Sequence, residues 1–241
     1  MSWLTATQSI HSCFLCLLLA ACSSPDGGEV AVPAADQAKA AALLESYDSA
    51  RRDGNWEVAE SYADKLRNKF PDSGAAAKLQ PSIEQVRSKA GAAREARRLG
   101  ALWDYQAVAV GKGVQRSAAI QSRTVPVGEG ELSAMPDAQL VLRQHPAWGL
   151  SAYLLLAQAR FDCGQPCVMR IGFDDAPAKA FAGKQADSGK GPALFIEDKG
   201  AFIAALSRAS RLRIELPKGS GRMAVLTFEV AGYQPSRFQA P

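Results

Sequence analysis

Apolar and polar positions along the chain change period near residue 100, and that change divides the sequence into two kinds of element. Between residues 36 and 100 the apolar positions recur at helical spacing. Leu43, Leu44, Tyr47 and Ala50 make one face that stops at Asp53-Gly54-Asn55, a turn signal. Trp56, Ala59, Ala63 and Leu66 make the next, ending at Phe70-Pro71-Asp72-Ser73-Gly74. A third helical stretch starts near Ala75, is broken or restarted at Pro81, and carries Ile83, Val86, Ala90 and Ala93 on one side. From Leu102 the pattern turns to period two with β-branched and aromatic runs. Strands are expected over 103–110, 118–122, 139–143, 152–159, 168–173, 193–196, 211–216 and 223–230. Glycine and proline turns separate most of them, at Gly111-Lys112-Gly113, His145-Pro146, Gly164-Gln165-Pro166 and Lys218-Gly219-Ser220-Gly221. One amphipathic helix interrupts, with Phe202, Ile203, Leu206 and Ala209 on a single face.

These elements predict an α+β protein: an N-terminal helical hairpin of two to three helices, then an antiparallel β-sandwich with one covering helix. The first part, residues 36–100, resembles a tetratricopeptide-type hairpin. Gly54-Asn55-Trp56, Ala59, Leu66 and Phe70-Pro71-Asp72-Ser73 match its turn, small crossing residue and closing proline. Tyr47 departs from the pattern, because a small residue is usual there. One repeat cannot bury its own face, so the hairpin must pack on its third helix, the β-rich part, a copy of itself or a partner.

Ahead of the helices, Cys13-Phe14-Leu15-Cys16-Leu17-Leu18 is long enough for the apolar core of a signal peptide and too short to span a bilayer. It closes on Leu19-Ala20-Ala21-Cys22, which resembles the lipobox of bacterial lipoproteins. That resemblance implies a signal peptide over residues 1–21, cleavage before Cys22 and lipidation of Cys22. Ser23 after the cysteine implies sorting to the outer membrane, facing the periplasm. The alternative is a leader with no lipid, cleaved or retained as an anchor. Residues 22–35, rich in Ser, Pro and Gly, read as a flexible tether.

Composition adds limits. Hydrophobic residues make up 47% of the chain, enough for a core, and the net charge of +4 is too diffuse for nucleic acid. Arg87, Arg94, Arg97 and Arg98 give the third helix a basic side. The plain reading is a solvated helix face; the sharper one is contact with an anionic lipid or glycan.

Candidate chemistry is sparse. In an exported protein Cys163 and Cys167 read as a structural disulfide between two strands. The pair lacks the two-residue spacing of thioredoxin-like redox motifs, and zinc would need more ligands than His145 and two thiols. His145, the only histidine after the leader, reads as a loop residue outside any catalytic arrangement, since no Gly-x-Ser-x-Gly elbow accompanies it. Gly183 to Gly191 has the glycines of a phosphate loop but not its spacing, and reads as a flexible polar connection. Asp174-Asp175 suits a turn and Glu197-Asp198 a helix N-terminus. Trp103, Trp148, Phe161, Phe173, Phe181 and Phe228 are assigned to the core, with a binding face as the alternative. No catalytic residue, metal site or cofactor is expected.

The β-rich part, residues 101–241, also carries Leu140-Val141-Leu142-Arg143, Phe161-x-Cys163-x-x-x-Cys167, Ile171-x-Phe173-Asp174-Asp175, Ala193-Leu194-Phe195-Ile196 and Phe228-x-Val230-x-Gly232. Together these are distantly similar to type VI secretion accessory proteins of the TagO type. The resemblance implies a non-enzymatic envelope role and supplies no catalytic residues. The expectation is therefore a lipid-anchored periplasmic binding or scaffold module with an envelope protein as partner. A peptidoglycan- or glycan-binding module is the first alternative, and a hydrolytic or redox envelope enzyme the second.

Overall fold

The computed structural model describes residues 33–123, 138–156, 161, 167–186, 192–218 and 222–238. Four helices come first: α1 (Ala34–Arg52), α2 (Trp56–Lys69), the single turn α3 (Gly74–Ala77) and α4 (Ile83–Gly100). Gly54 ends the turn after α1 at φ +72°, a left-handed conformation that favours glycine. Ser73 starts α3 by accepting the Ala76 N–H at 3.1 Å. Pro81 falls between α3 and α4 and separates them, as expected of a residue without an N–H.

The helices enclose a core of their own. Ala40, Tyr47, Ala50, Ala59, Ala63, Leu66, Leu79, Ile83 and Val86 are buried together. Small Ala50, Ala59 and Ala63 lie where α1 and α2 meet, and Leu66 of α2 and Leu79 share the core with Ile83 and Val86 of α4. The third helix is therefore one of the surfaces the hairpin needed.

The rest of the chain forms β1 (Trp103–Val110), β2 (Gly113–Gln121), β3 (Ala138–His145), β4 (Gly149–Leu156), β5 (Cys167–Phe173), β6 (Lys179–Gln185), β7 (Ala193–Ile196), α5 (Lys199–Leu206), β8 (Arg211–Lys218), β9 (Arg222–Glu229) and α6 (Pro235–Phe238). The strands make one nine-stranded sheet in the order β1-β2-β3-β4-β7-β6-β5-β8-β9, and every pairing is antiparallel. Its far end returns to its beginning. Just past β2, Arg123 bridges Thr227 of β9, with its N–H donating to the Thr227 carbonyl at 2.7 Å. The sheet thus folds over a single core that includes Leu140, Leu142, Leu154, Met169, Leu194, Ile214 and Phe228. Phe202, Ile203 and Leu206 bring α5 onto that core, and Tyr233 and Phe238 close another part of it.

Strand β6 was not expected. Its sequence, Lys-Ala-Phe-Ala-Gly-Lys-Gln, is poor in β-branched residues, and tertiary pairing with β5 and β7 overrides that propensity. The reading of residue 183 onward as a flexible connection is corrected for its first three residues. Gly183 pairs with Cys167 and Ile196, and a Cβ there would press on Met169 and Leu194 at 3.0 and 3.1 Å. Among the described residues, no helix is long and apolar enough to cross a membrane.

Candidate functional site

The β3–β4 hairpin places its apolar and polar residues by parity. Leu140, Leu142, Ala152 and Leu154 point into the core, so Arg143, His145 and Tyr153 point to the outer face of the sheet. Arg143 stands opposite Ser151, and Tyr153 opposite Phe195 of β7. The turn is short: His145 pairs with Gly149, which sits at φ +71°. Between them the Ala147 and Trp148 N–H groups both donate to His145 Nδ1, at 3.1 and 3.2 Å.

That turn sets the Trp148 ring parallel to the imidazole, with centroids 3.9 Å apart and planes 12° apart. The Arg143 guanidinium lies 5.4 Å from the Trp148 ring and 5.5 Å from the Tyr153 ring. Tyr153 in turn meets Phe195 at 5.1 Å. The result is a continuous ladder, His145–Trp148–Arg143–Tyr153–Phe195, across three strands. Trp148 is 71% exposed at its outer end.

The aromatic assignment is corrected at one position. Trp103, Phe161 and Phe228 are buried in the core, and Phe173 and Phe181 pack against it, but Trp148 is outside it. His145 is also corrected: it ends a strand and is buried, and its Nδ1 is taken up by two backbone N–H groups. The ring proton of the neutral imidazole accordingly belongs on Nε2. Its chemistry holds a turn.

The four arginines of α4 are each paired. Arg97 makes a two-point contact with Glu57 of α2, at 2.7 and 2.8 Å. Arg94 bonds Glu60, also of α2, and Arg87 reaches Asp64 and Glu84. Arg98 bonds Glu95 on its own helix and Glu229 of β9. Hydrogen bonding from Arg97 holds the Glu57 carboxyl below the usual carboxylate range, and hydrogen bonding from Arg98 does the same for Glu229. Glu84 and Glu95 lie on α4 itself, but Glu57, Glu60 and Asp64 come from α2 and Glu229 from β9, so these four were invisible in the α4 sequence.

The remaining candidates sit in turns and caps. Asp174, at φ +50°, accepts the Ser210 and Arg211 N–H groups at 2.8 and 2.9 Å, and Asp175 pairs with Arg211. Asp198 caps α5 by accepting the Ala201 N–H at 3.2 Å. With Glu197 it edges a cleft of about 620 Å³ between α5 and the β5–β6 hairpin, walled by Ile171, Phe173 and Phe181. Among the described residues, no group of three His, Cys, Asp or Glu residues could hold a metal ion. Cys167 opens β5 and is buried; Cys22 and Cys163 lie outside the described residues.

Part of the ladder is local in sequence. Arg143, His145 and Trp148 stand within six positions around a proline–glycine turn, and the first two share the strand parity opposite to Leu140 and Leu142. Tyr153 and Phe195 join them only through the sheet register.

No family model and no curated protein matches this chain. The solved structure of invasion-associated protein B from Bartonella henselae is similar at 13% identity, over 52% of this chain and 79% of that one, with a TM-score of 0.34. A likeness at that level carries no argument about function.

Proposed function

We propose that this protein is a lipoprotein of the bacterial envelope, anchored through Cys22 to the periplasmic face of the outer membrane. There it acts as a non-enzymatic binding or scaffold module. The observation that carries the binding role is the outward ladder ending in exposed Trp148. Exposed aromatic rings and arginine are the residue types that dominate recognition surfaces, and His145, the residue most suited to acid–base chemistry, is committed to the turn beneath them. The paired helices favour the same role. Their tetratricopeptide-like hairpin packs on α4 through a core of its own and α2–α4 ion pairs, an arrangement that suits an accessory of a secretion assembly. A disulfide between Cys163 and Cys167 belongs to this reading, stapling the approach to β5.

A second reading, binding to peptidoglycan or another glycan, is favoured by the open face of Trp148, because flat aromatic rings stack on sugars. Protein partner and glycan are separated by one experiment on the full lipidated chain. Wild type and Cys22→Ser are followed by palmitate labelling and membrane fractionation, then by co-sedimentation with purified sacculi. The lipoprotein reading predicts label and outer-membrane recovery for the wild type alone. Sedimentation with sacculi that is lost in Trp148→Ala supports glycan binding; none at all leaves the protein-partner reading in front. Recovery of the wild type as an unlabelled soluble protein contradicts the anchor.

A further inference from the structure

We infer that the outer face of β3, β4 and β7 is a binding site for uronate residues of an acidic polysaccharide, with a sugar ring stacked on Trp148 and its carboxylate paired with Arg143. This rests on the reading above that the face binds ligands. Three observations carry it.

The first is the state of Arg143. Its guanidinium lies between two aromatic rings and its Nε is buried without a hydrogen-bond partner. No carboxylate among the described residues pairs with it. Arg52, Arg67, Arg116, Arg208 and Arg237 also lack one, but among the described residues Arg143 is the arginine with a buried, unpartnered Nε. A partly desolvated guanidinium lacking its own anion favours one from outside, and its planar fork fits a carboxylate at two points.

The second is that Trp148 is fixed in place. One ring face is covered by His145 at 3.9 Å and its backbone N–H is bonded to that same imidazole. An indole 71% exposed and stacked in this way presents its free surface with little rotamer cost on binding. The third is spacing. The guanidinium carbon lies 5.4 Å from the Trp148 ring centre. With the Tyr153 ring 5.5 Å away on its other side, an anion held by this guanidinium lies beside both aromatic rings. Tyr153 and Phe195 continue the aromatic surface across two more strands, each roughly 4.8 Å from the next, so a neighbouring sugar meets a second platform.

Isothermal titration of the full chain in detergent tests the site with three probes: trigalacturonic acid, its methyl ester and pentaglutamate. The acid is expected to bind, with the ester weaker by about tenfold or more because Arg143 has lost its anion. Pentaglutamate is expected to bind no better than the ester. Arg143→Lys keeps the charge, loses the fork and weakens the acid about tenfold. Trp148→Ala removes binding of acid and ester together. Both positions are on the surface side of the sheet, and unchanged thermal midpoints in the two variants separate a lost site from a lost fold. Equal affinity for acid and ester overturns the carboxylate pairing, and pentaglutamate matching the acid overturns the sugar. Absence of binding overturns the uronate site altogether, while the binding-module reading still stands or falls on partner capture in cells.

Discussion

Arg98 and Glu229, 131 residues apart in sequence, meet in a two-point ion pair, Nη2 to Oε1 at 2.8 Å and Nη1 to Oε2 at 3.2 Å. The contact ties the last turns of α4 to the end of β9, and Glu229 also holds Arg123 where the sheet closes. One carboxylate therefore serves both the helical unit and the closure of the β part. Glu229→Gln is expected to cost about 1 kcal/mol, the upper range for partly exposed pairs, seen as a lower urea midpoint. An unchanged midpoint would mean that the junction is held by packing alone.

Packing at that junction has its own test. A Cβ at Gly232 would run into the Leu99 carbonyl and the Gly100 nitrogen, both backbone atoms that no rotamer change can move aside. Gly232→Ala should destabilise the protein by about 1–3 kcal/mol, the usual range for overpacking. Gly91, whose Cβ would meet nothing within 4 Å, is the matched control: Gly91→Ala lies in a helix and should stabilise slightly. Urea unfolding of the two variants gives opposite signs.

Tyr47 occupies the position where a small residue is usual in the repeat it resembles. The structure supplies a reason: the ring is buried and its hydroxyl lies 2.6 Å from Ser82 Oγ, joining α1 to the start of α4. Tyr47→Phe should cost about 1 kcal/mol, because Ser82 keeps the Leu79 carbonyl as a partner. Tyr47→Ala empties the same space and should cost about 3–5 kcal/mol. A large loss already in Tyr47→Phe would place the weight on the hydroxyl rather than the ring.

Acid should loosen the helical unit and its junction together. Hydrogen bonds from Arg97 and Arg98 lower the Glu57 and Glu229 carboxyls below their ordinary value of 4.5. A carboxyl lowered on folding stabilises the fold above its unfolded pKa, and that stability is lost as pH falls through the folded pKa. Stability from these groups is therefore level above about pH 5 and declines below 4.5. Urea midpoints measured from pH 7 down to 3 should show a shallower acid decline in Glu57→Gln and Glu229→Gln than in the wild type. Parallel declines would assign the acid sensitivity to other carboxylates.

The proposed Cys163–Cys167 disulfide closes a very small loop, so the chain-entropy contribution is only about 2 kcal/mol before strain. Cys163→Ser and Cys167→Ser should lower the thermal midpoint alike, and non-reducing mass spectrometry of the wild type should show both thiols oxidised. Two free thiols would remove the staple.

Most elements were legible because their patterns are local. Trp103–Val110 and Ala193–Ile196 are strands with the bounds expected from their apolar, β-branched and aromatic runs, and the α2 face follows Trp56, Ala59, Ala63 and Leu66. What escaped depends on distant partners. Strand β6 exists because β5 and β7 pair with it. The α4 arginines looked free in sequence, since Glu57 and Glu60 lie 34–40 residues earlier on another helix. Trp148 looked like core by composition, and only the turn built on His145 turns it outward.

The most direct test of the central claim is photo-crosslinking in intact cells of the full lipidated chain. A photoreactive residue stands in place of Ala147, beside the ladder, or Lys65 on the exposed side of α2. The account predicts one dominant envelope component, protein or glycan, captured from position 147 and lost in Trp148→Ala. The same set of abundant outer-membrane neighbours from both positions, unchanged by Trp148→Ala, would contradict it.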